Sequence, residues 1–427
     1  MRFPSRTARY IARTIVAVAL AILILLALAW RPAVTPVEPP AASGFEPSLI
    51  RRGTELASLG DCSTCHTALG GTTFTGGRAI PTPFGTIYST NITPDPATGI
   101  GRWSQAAFAR ALREGIDRQG RQLYPAFPYE HFTLLSDADI AALYAFFMTR
   151  LPVRAPARPN DVPFPLSFRP LLAGWKLLFF HPGRYRRNTR HDDTWNRGAY
   201  LAEGIAHCGA CHTPRNDFGA ERADQHFAGG TAEGWYAYAL DPTSEAPVSW
   251  NATTMESYLR NGWHTAHGVA HGPMAAVTNN MGSVPAEDVR ALARYVVAGM
   301  SGSQPTQRPT LAPPTTHSAA GDDRRTAGAA LYAAACAGCH ESHQPLPFGG
   351  INLSLSTDVA GEDPADLVQV VLEGLPATNE APQPMMPGFA SAFSDQQLLS
   401  LLTYLREHLA HKSLWPDTAS AIRRTSQ

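Results

Sequence analysis

At 427 residues with 44% hydrophobic residues, the chain is long enough for about two to four ordinary domains. Its 35 Lys and Arg balance 35 Asp and Glu, so there is no net charge and nucleic acid is excluded as a partner on electrostatic grounds. The 35 glycines and 36 prolines suit small, loop-rich domains better than long regular elements.

Arg2, Arg6, Arg9 and Arg13 precede an unbroken apolar run of 16 residues, Ile15 to Trp30, which Arg31 and the proline-rich stretch Pro32 to Pro40 follow. The run falls between a signal-peptide core and a full membrane span, and Ala27-Leu28-Ala29 offers a small-residue cleavage site. A cleaved signal and a retained anchor both fit, and the anchor is the reading adopted. Positive charge ahead of the run keeps that end cytoplasmic and sends the remainder across the membrane. Consecutive arginines of the twin-arginine type are absent ahead of the run, so export of the unfolded chain is expected. This places the protein on the periplasmic side of a bacterial inner membrane.

Cys62-Ser63-Thr64-Cys65-His66, Cys208-Gly209-Ala210-Cys211-His212 and Cys336-Ala337-Gly338-Cys339-His340 contain all six cysteines of the chain. Two thiols three positions apart reach the two vinyl groups of one haem, and the histidine that follows turns its imidazole onto the iron. A zinc site needs a fourth ligand for each set and has no reason to place histidine directly after the second cysteine three times. A redox dithiol does not need the histidine at all. Three covalently bound haem c groups are therefore expected, on Cys62 and Cys65, Cys208 and Cys211, and Cys336 and Cys339. His66, His212 and His340 are their proximal iron ligands.

Each motif sits inside one repeated pattern. A short helical stretch precedes it, Arg52 to Leu59, Asn196 to Gly204, or Gly328 to Ala335. A second helix follows later, marked by Ile140, Leu143 and Phe147, by Val289, Leu292 and Val296, or by Leu398, Leu401 and Leu405. Ser136 with Asp139, and Ser394 with Gln397, cap the first and third of these helices, and the second lacks the pattern. Repetition at the scale of a domain predicts a mainly α chain of three tandem cytochrome c domains joined by Pro-rich linkers, with an N-terminal apolar helix.

The expected division is signal or anchor helix and linker at 1–45, first domain 46–152, linker with apolar patch 153–193, second domain 194–302, linker 303–322, third domain 323–412, and tail 413–427. The patch, Leu171 to Phe180, has Arg169 before it and Arg184, Arg186, Arg187 and Arg190 after it. It is too short to span a bilayer, and it fits either a membrane interface or packing between two haem domains.

The far side of each iron needs a ligand. Met386 in Met385-Met386-Pro387 and Met274 in Gly272-Pro273-Met274 both stand shortly before the second helix of their repeat, where a soft thioether raises haem potential. Met385 and Met281 are the fallbacks. In the first repeat the position falls on Phe127, since Cys62 to Phe127 is 65 residues and Cys208 to Met274 is 66. Phenylalanine cannot bind iron. Met148 aligns with the terminal helix instead, which leaves His131, four residues beyond Phe127, as the metal-ligand candidate beside a surface histidine or an open position.

These motifs, together with Gly85-Thr86-Ile87-Tyr88, Asn91-Ile92-Thr93-Pro94-Asp95, Tyr124-Pro125-Ala126, Thr213-Pro214-Arg215 and Met386-Pro387-Gly388-Phe389, resemble the three-haem cytochrome c subunits of bacterial membrane dehydrogenases. The resemblance covers nearly all of residues 46–412. It implies an electron-transfer subunit that takes electrons from a separate catalytic dehydrogenase subunit, a molybdenum hydroxylase, quinoprotein or flavoprotein, and passes them to quinone or a terminal oxidase. Family members commonly carry Tyr-Pro-Ala-Met-Pro, so Phe127 departs from the alcohol dehydrogenase pattern, and Phe-Pro-Tyr followed by histidine looks more like the nicotinate-type branch. No molybdopterin, flavin or quinoprotein unit is recognisable, so substrate chemistry is expected on another chain. The alternatives are a haem enzyme or sensor with an open first haem, and a cytochrome subunit of a terminal oxidase.

Overall fold

The computed structural model describes residues 6–301, 323–344, 346, 348–375 and 384–425, and the expected linker 303–322 lies outside them. The chain is mainly helical. It gathers into two compact units, Met1–Arg187 with Glu203–His207, and Asn188–Ala202 with Cys208–Gln427.

In the first unit, α1 (Arg6–Ala29) leads to α2 (Pro47–Leu59) and α3 (Cys62–Cys65). The antiparallel hairpin β1 (Ala79–Thr82) and β2 (Gly85–Tyr88) follows, with Ala79 opposite Tyr88. Then come α4 (Gln105–Glu114), α5 (Tyr129–Phe132), α6 (Asp137–Met148) and α7 (Leu171–Phe179).

The second unit twice repeats the order of leading helix, motif turn and late helix, and among the described residues only its first part has hairpins. First come α8 (Asp193–Tyr200), which continues as a wider turn over Leu201–Ile205, and α9 (Gly209–His212). The hairpin of β3 (Gly230–Ala232) and β4 (Trp235–Ala237), α10 (Ala252–Asn261), the short pair β5 (Trp263–His264) and β6 (Gly268–Val269), α11 (Gly272–Met281) and α12 (Ala286–Gly299) complete that part. The remainder is α13 (Asp323–Ala335), α14 (Ala337–His340), α15 (Thr357–Ala360), α16 (Ala365–Glu373), α17 (Asp395–Tyr404) and α18 (Thr418–Thr425).

Local chemistry explains the helix starts. The Ser136 hydroxyl accepts from the Asp139 N–H, and Ser394 and Gln397 form a reciprocal capping box. Helix α12 begins after Pro285 with no side-chain cap, as expected. The helix ahead of each motif packs on the late helix of its repeat: α2 on α6, α8 on α12, α13 on α17. All nine apolar residues that mark the late helices are buried.

Each crossing has a glycine at its centre. A β-carbon on Gly53, Gly198 or Gly328 would collide with the carbonyl oxygen of Ala142, Ala291 or Ser400 and stand 2.6, 2.8 or 2.8 Å from the β-carbon of Phe146, Tyr295 or Tyr404. The backbones thus touch, and only glycine permits it. Beside the first two glycines an ion pair bridges the same helices, Arg52 to Asp139 at 3.1 Å and Arg197 to Asp288 at 2.7 Å.

Helix α1 takes in the arginines ahead of the apolar run as well as the run itself, and Ile15, Val16, Leu23 and Ile24 are exposed on it. Among the described residues no helix is long and apolar enough to cross a membrane. Sixteen apolar residues at about 1.5 Å each reach about 24 Å, short of the about 30 Å of a hydrocarbon core. The expected apolar patch forms α7, which packs against α1 within the first unit. There it buries Ala173 and leaves Leu177 and Leu178 exposed. Lys176 pins it, donating from Nζ to Glu114 O at 2.5 Å, Gly115 O at 2.8 Å and Gln122 Oε1 at 2.8 Å.

Candidate haem-binding sites

Each motif folds as a single helical turn. The N–H of His66, His212 and His340 donates to the carbonyl of Cys62, Cys208 and Cys336 at 3.0 Å, so the two cysteines of each set stand three residues apart on one turn. Asp61 (φ 48°) and His207 (φ 38°), directly before the first cysteine of their motifs, adopt the left-handed conformation that ends the incoming helix and starts the turn. In the third motif α13 runs straight to Cys336.

No disulfide joins any two of the six cysteines. Burial pushes the Cys62 thiol up to about 12 and the Cys336 thiol up to about 11. These two thiols are held in the protonated form, the opposite of the lowered thiol of a redox dithiol.

The three histidines share one further arrangement. His66 Nδ1 lies 2.7 Å from Thr90 O, His212 Nδ1 2.7 Å from Tyr238 O, and His340 Nδ1 2.7 Å from Ile351 O. A carbonyl oxygen only accepts, so each Nδ1 carries the proton and each Nε2 carries the lone pair. Such a bond orients a metal-ligating imidazole and raises its basicity. Burial holds all three imidazoles below the usual histidine range, in the neutral form that binds iron. Two thiols on one turn beside an imidazole with Nε2 unprotonated fit a covalently attached haem at each motif.

The segments that approach from the far side also repeat. Helices α4, α10 and α16 each end on a left-handed glycine, Gly115 (φ 61°), Gly262 (φ 75°) and Gly374 (φ 77°). Twelve residues on, 115 to 127, 262 to 274 and 374 to 386, stand Phe127, Met274 and Met386. The alignment made from the motifs is thus reached independently from the glycines.

Met386 pairs backbone to backbone with Leu375, at 2.8 and 3.0 Å, and packs half-buried on the core that contains Cys336, Leu398 and Leu401. Met274 is half-buried in the first turn of α11. Of the fallbacks, Met385 is 70% exposed and Met281 is buried in the last turn of α11. Phe127 packs edge-on against Phe132 at 5.4 Å. Met148 is buried at the end of α6, a helix residue as read from the sequence. His131 is buried in α5, and its Nδ1 lies 2.8 Å from Glu203 O, in the segment just ahead of the second motif.

Residues 50–150 match the family described as cytochrome c, and residues 323–405 the family described as cytochrome c oxidase, cbb3-type, subunit III. The chain is 42% identical over 403 residues to a nicotinate dehydrogenase subunit of Pseudomonas putida, a match that covers 93% of this chain and 33% of that protein. It therefore spans a third of that relative's length. It is 36% identical over 415 residues to the fructose dehydrogenase cytochrome subunit of Gluconobacter japonicus, covering 91% of this chain and 85% of the relative. It is 37% identical over 386 residues to the gluconate 2-dehydrogenase cytochrome c subunit of Pantoea cypripedii, covering 84% and 85%. With its haem-attachment turns built as described, the chain belongs to the cytochrome c subunits of bacterial dehydrogenases.

Proposed function

We propose that this chain carries three covalent haem c groups and conducts electrons from a catalytic dehydrogenase subunit to quinone or a terminal oxidase. Bound haem supplies a one-electron iron couple at each motif. The carrying observation is the identical 2.7 Å bond from each motif histidine to a backbone carbonyl, which prepares three equivalent proximal ligands. Met274 and Met386 are the distal ligands at the second and third motifs, supported by their fixed distance from a left-handed glycine. His131 is the distal ligand at the first, supported by a buried ring whose Nδ1 donates to Glu203 O and thereby takes the same tautomer as the proximal histidines.

The partner is of the nicotinate type, a molybdenum hydroxylase acting on an N-heteroaromatic ring. Support comes from the 42% identity to the nicotinate dehydrogenase relative, against 36% and 37% for the fructose and gluconate relatives. The protein works on the periplasmic side of the inner membrane, with α1 directing export and the exposed Leu177 and Leu178 of α7 touching the bilayer surface. The reading as a terminal-oxidase subunit draws on the match at residues 323–405 alone.

The test is purification of the tagged, haem-loaded chain from its own host. A catalytic dehydrogenase subunit should co-purify, its substrate should reduce the haems, and the denatured chain should exceed the polypeptide mass by three haems. A smaller mass increment, or haems that stay oxidised when the co-purified enzyme turns over, refutes the proposal.

A further inference from the structure

Away from the motifs, the second unit brings one imidazole and two carboxylates together. His271 caps the start of α11, Asp358 lies in α15 and Asp366 in α16. His271 Nε2 is 3.6 Å from Asp358 Oδ1 and 3.6 Å from Asp366 Oδ2, and the three ligand atoms lie within 4.8 Å of one another. These separations exceed the about 2.7–3.2 Å of an N–H···O hydrogen bond. The two distances from His271 match the edge of a coordination tetrahedron, because donors about 2.0–2.2 Å from a shared ion stand about 3.3–3.6 Å apart.

The surrounding bonds orient all three groups. His271 Nδ1 lies 2.9 Å from Val269 O, which can only accept, so Nδ1 carries a proton and Nε2 is the ring atom that faces the carboxylates. Asp358 Oδ1 accepts from the Tyr238 hydroxyl at 2.8 Å, and Asp366 Oδ1 accepts from the Tyr236 N–H at 2.8 Å, leaving Oδ2 toward His271. The bonds to His271 Nδ1 and Asp366 Oδ1 fall on atoms turned away from the cluster, the usual support of a metal centre, whereas Tyr238 donates to the same Asp358 oxygen that faces His271.

The side chain of Asp366 is 2% exposed and that of Asp358 17%. Two shielded carboxylates favour a positive charge beside them. Burial opposes a proton on His271, yet the two aspartates outweigh it and lift the imidazole to about 9. A divalent ion would neutralise both carboxylates in place of that proton.

We propose that His271, Asp358 and Asp366 form a divalent-cation site of the zinc class, with a water as fourth ligand. One nitrogen and two oxygens at these separations suit zinc in tetrahedral coordination. The ion ties the segment that carries Met274 to the two helices that follow the third motif. The proposal stands apart from the haem reading, since none of its ligands belongs to a motif.

The test uses the full haem-loaded chain, stripped with a chelator, mixed with Zn²⁺ and desalted. One equivalent of zinc should remain per chain, and absorption at the zinc edge should show one imidazole and otherwise oxygen. Asp366→Asn and His271→Gln should weaken zinc binding by about 100-fold or more. Tyr238→Phe, which keeps every ligand and loses only the bond to Asp358, should weaken it by about 10-fold. Unchanged haem spectra report intact folding. Zinc held equally well by the Asp366→Asn and Tyr238→Phe chains, a shell containing sulfur or several imidazoles, or no retained zinc each overturns the proposal, and the cluster is then an imidazolium–carboxylate pair.

Discussion

Gly374 and Met386 meet backbone to backbone: Gly374 takes φ 77°, and a β-carbon on it would collide with the Met386 carbonyl oxygen and stand 2.5 Å from Gly388 N. Gly374→Ala therefore strains the end of α16 and pushes the methionine strand away from it. A loss of about 2 kcal/mol is expected, together with weakening of the near-infrared sulfur-to-iron band at one haem. Denaturant unfolding and near-infrared absorption measure the two effects. Gly44→Ala, whose β-carbon meets nothing within 4 Å, is the control and should change neither.

His131→Ala removes the buried imidazole that donates to Glu203 O at 2.8 Å. One haem should become high-spin and bind carbon monoxide while the others keep their spectra. An unaltered spectrum in this variant takes His131 off the iron.

The two interhelical ion pairs differ in geometry, and so should their worth. Arg197 bonds both oxygens of Asp288 at 2.7 Å, whereas Arg52 stands 3.1 Å from Asp139 and is shared with Glu55 at 3.0 Å. Asp288→Asn should cost about 2 kcal/mol and Asp139→Asn about half as much. Equal losses in thermal or denaturant unfolding would show that the shorter Arg197 contacts contribute nothing extra.

Lys176 couples α7 to pH. Burial pushes its amine down to about 7, against about 10.4 in an unfolded chain. Between these values the unfolded state binds more protons, so stability rises with pH from about 7 to about 10, and below 7 the cost of burying the charge is fully present. The slope contributed is at most about 1.4 kcal/mol per pH unit. Unfolding free energies across that window should lose this slope in Lys176→Met, which also removes the Nζ donor from Glu114 O, Gly115 O and Gln122 Oε1.

The attachment turns and the crossing helices were legible because both are written locally. A Cys-X-X-Cys-His run carries its chemistry within five residues, and period-3.6 apolar positions such as Val289, Leu292 and Val296 face inward wherever the helix packs. The Ser136 and Ser394 caps are equally local, and both form as read. The repeat of a left-handed glycine twelve residues before Phe127, Met274 and Met386 was present in the sequence too. It went unread because glycine is common in this chain and only the positive φ separates these three from the rest.

The three Cys-X-X-Cys-His motifs, the helices that flank each of them and the phenylalanine at position 127 are all readable in the chain itself. Only the tertiary structure decided which carbonyl holds each proximal imidazole. The acceptors Thr90, Tyr238 and Ile351 lie 24, 26 and 11 residues beyond their histidines, and no common spacing marks them. It likewise decided that α7 lies against α1, and that His271 faces Asp358 and Asp366 across 87 and 95 residues of chain. The reason is physical: attachment chemistry and helical periodicity act between near neighbours, whereas these contacts are set by loop paths that depend on the whole packed core.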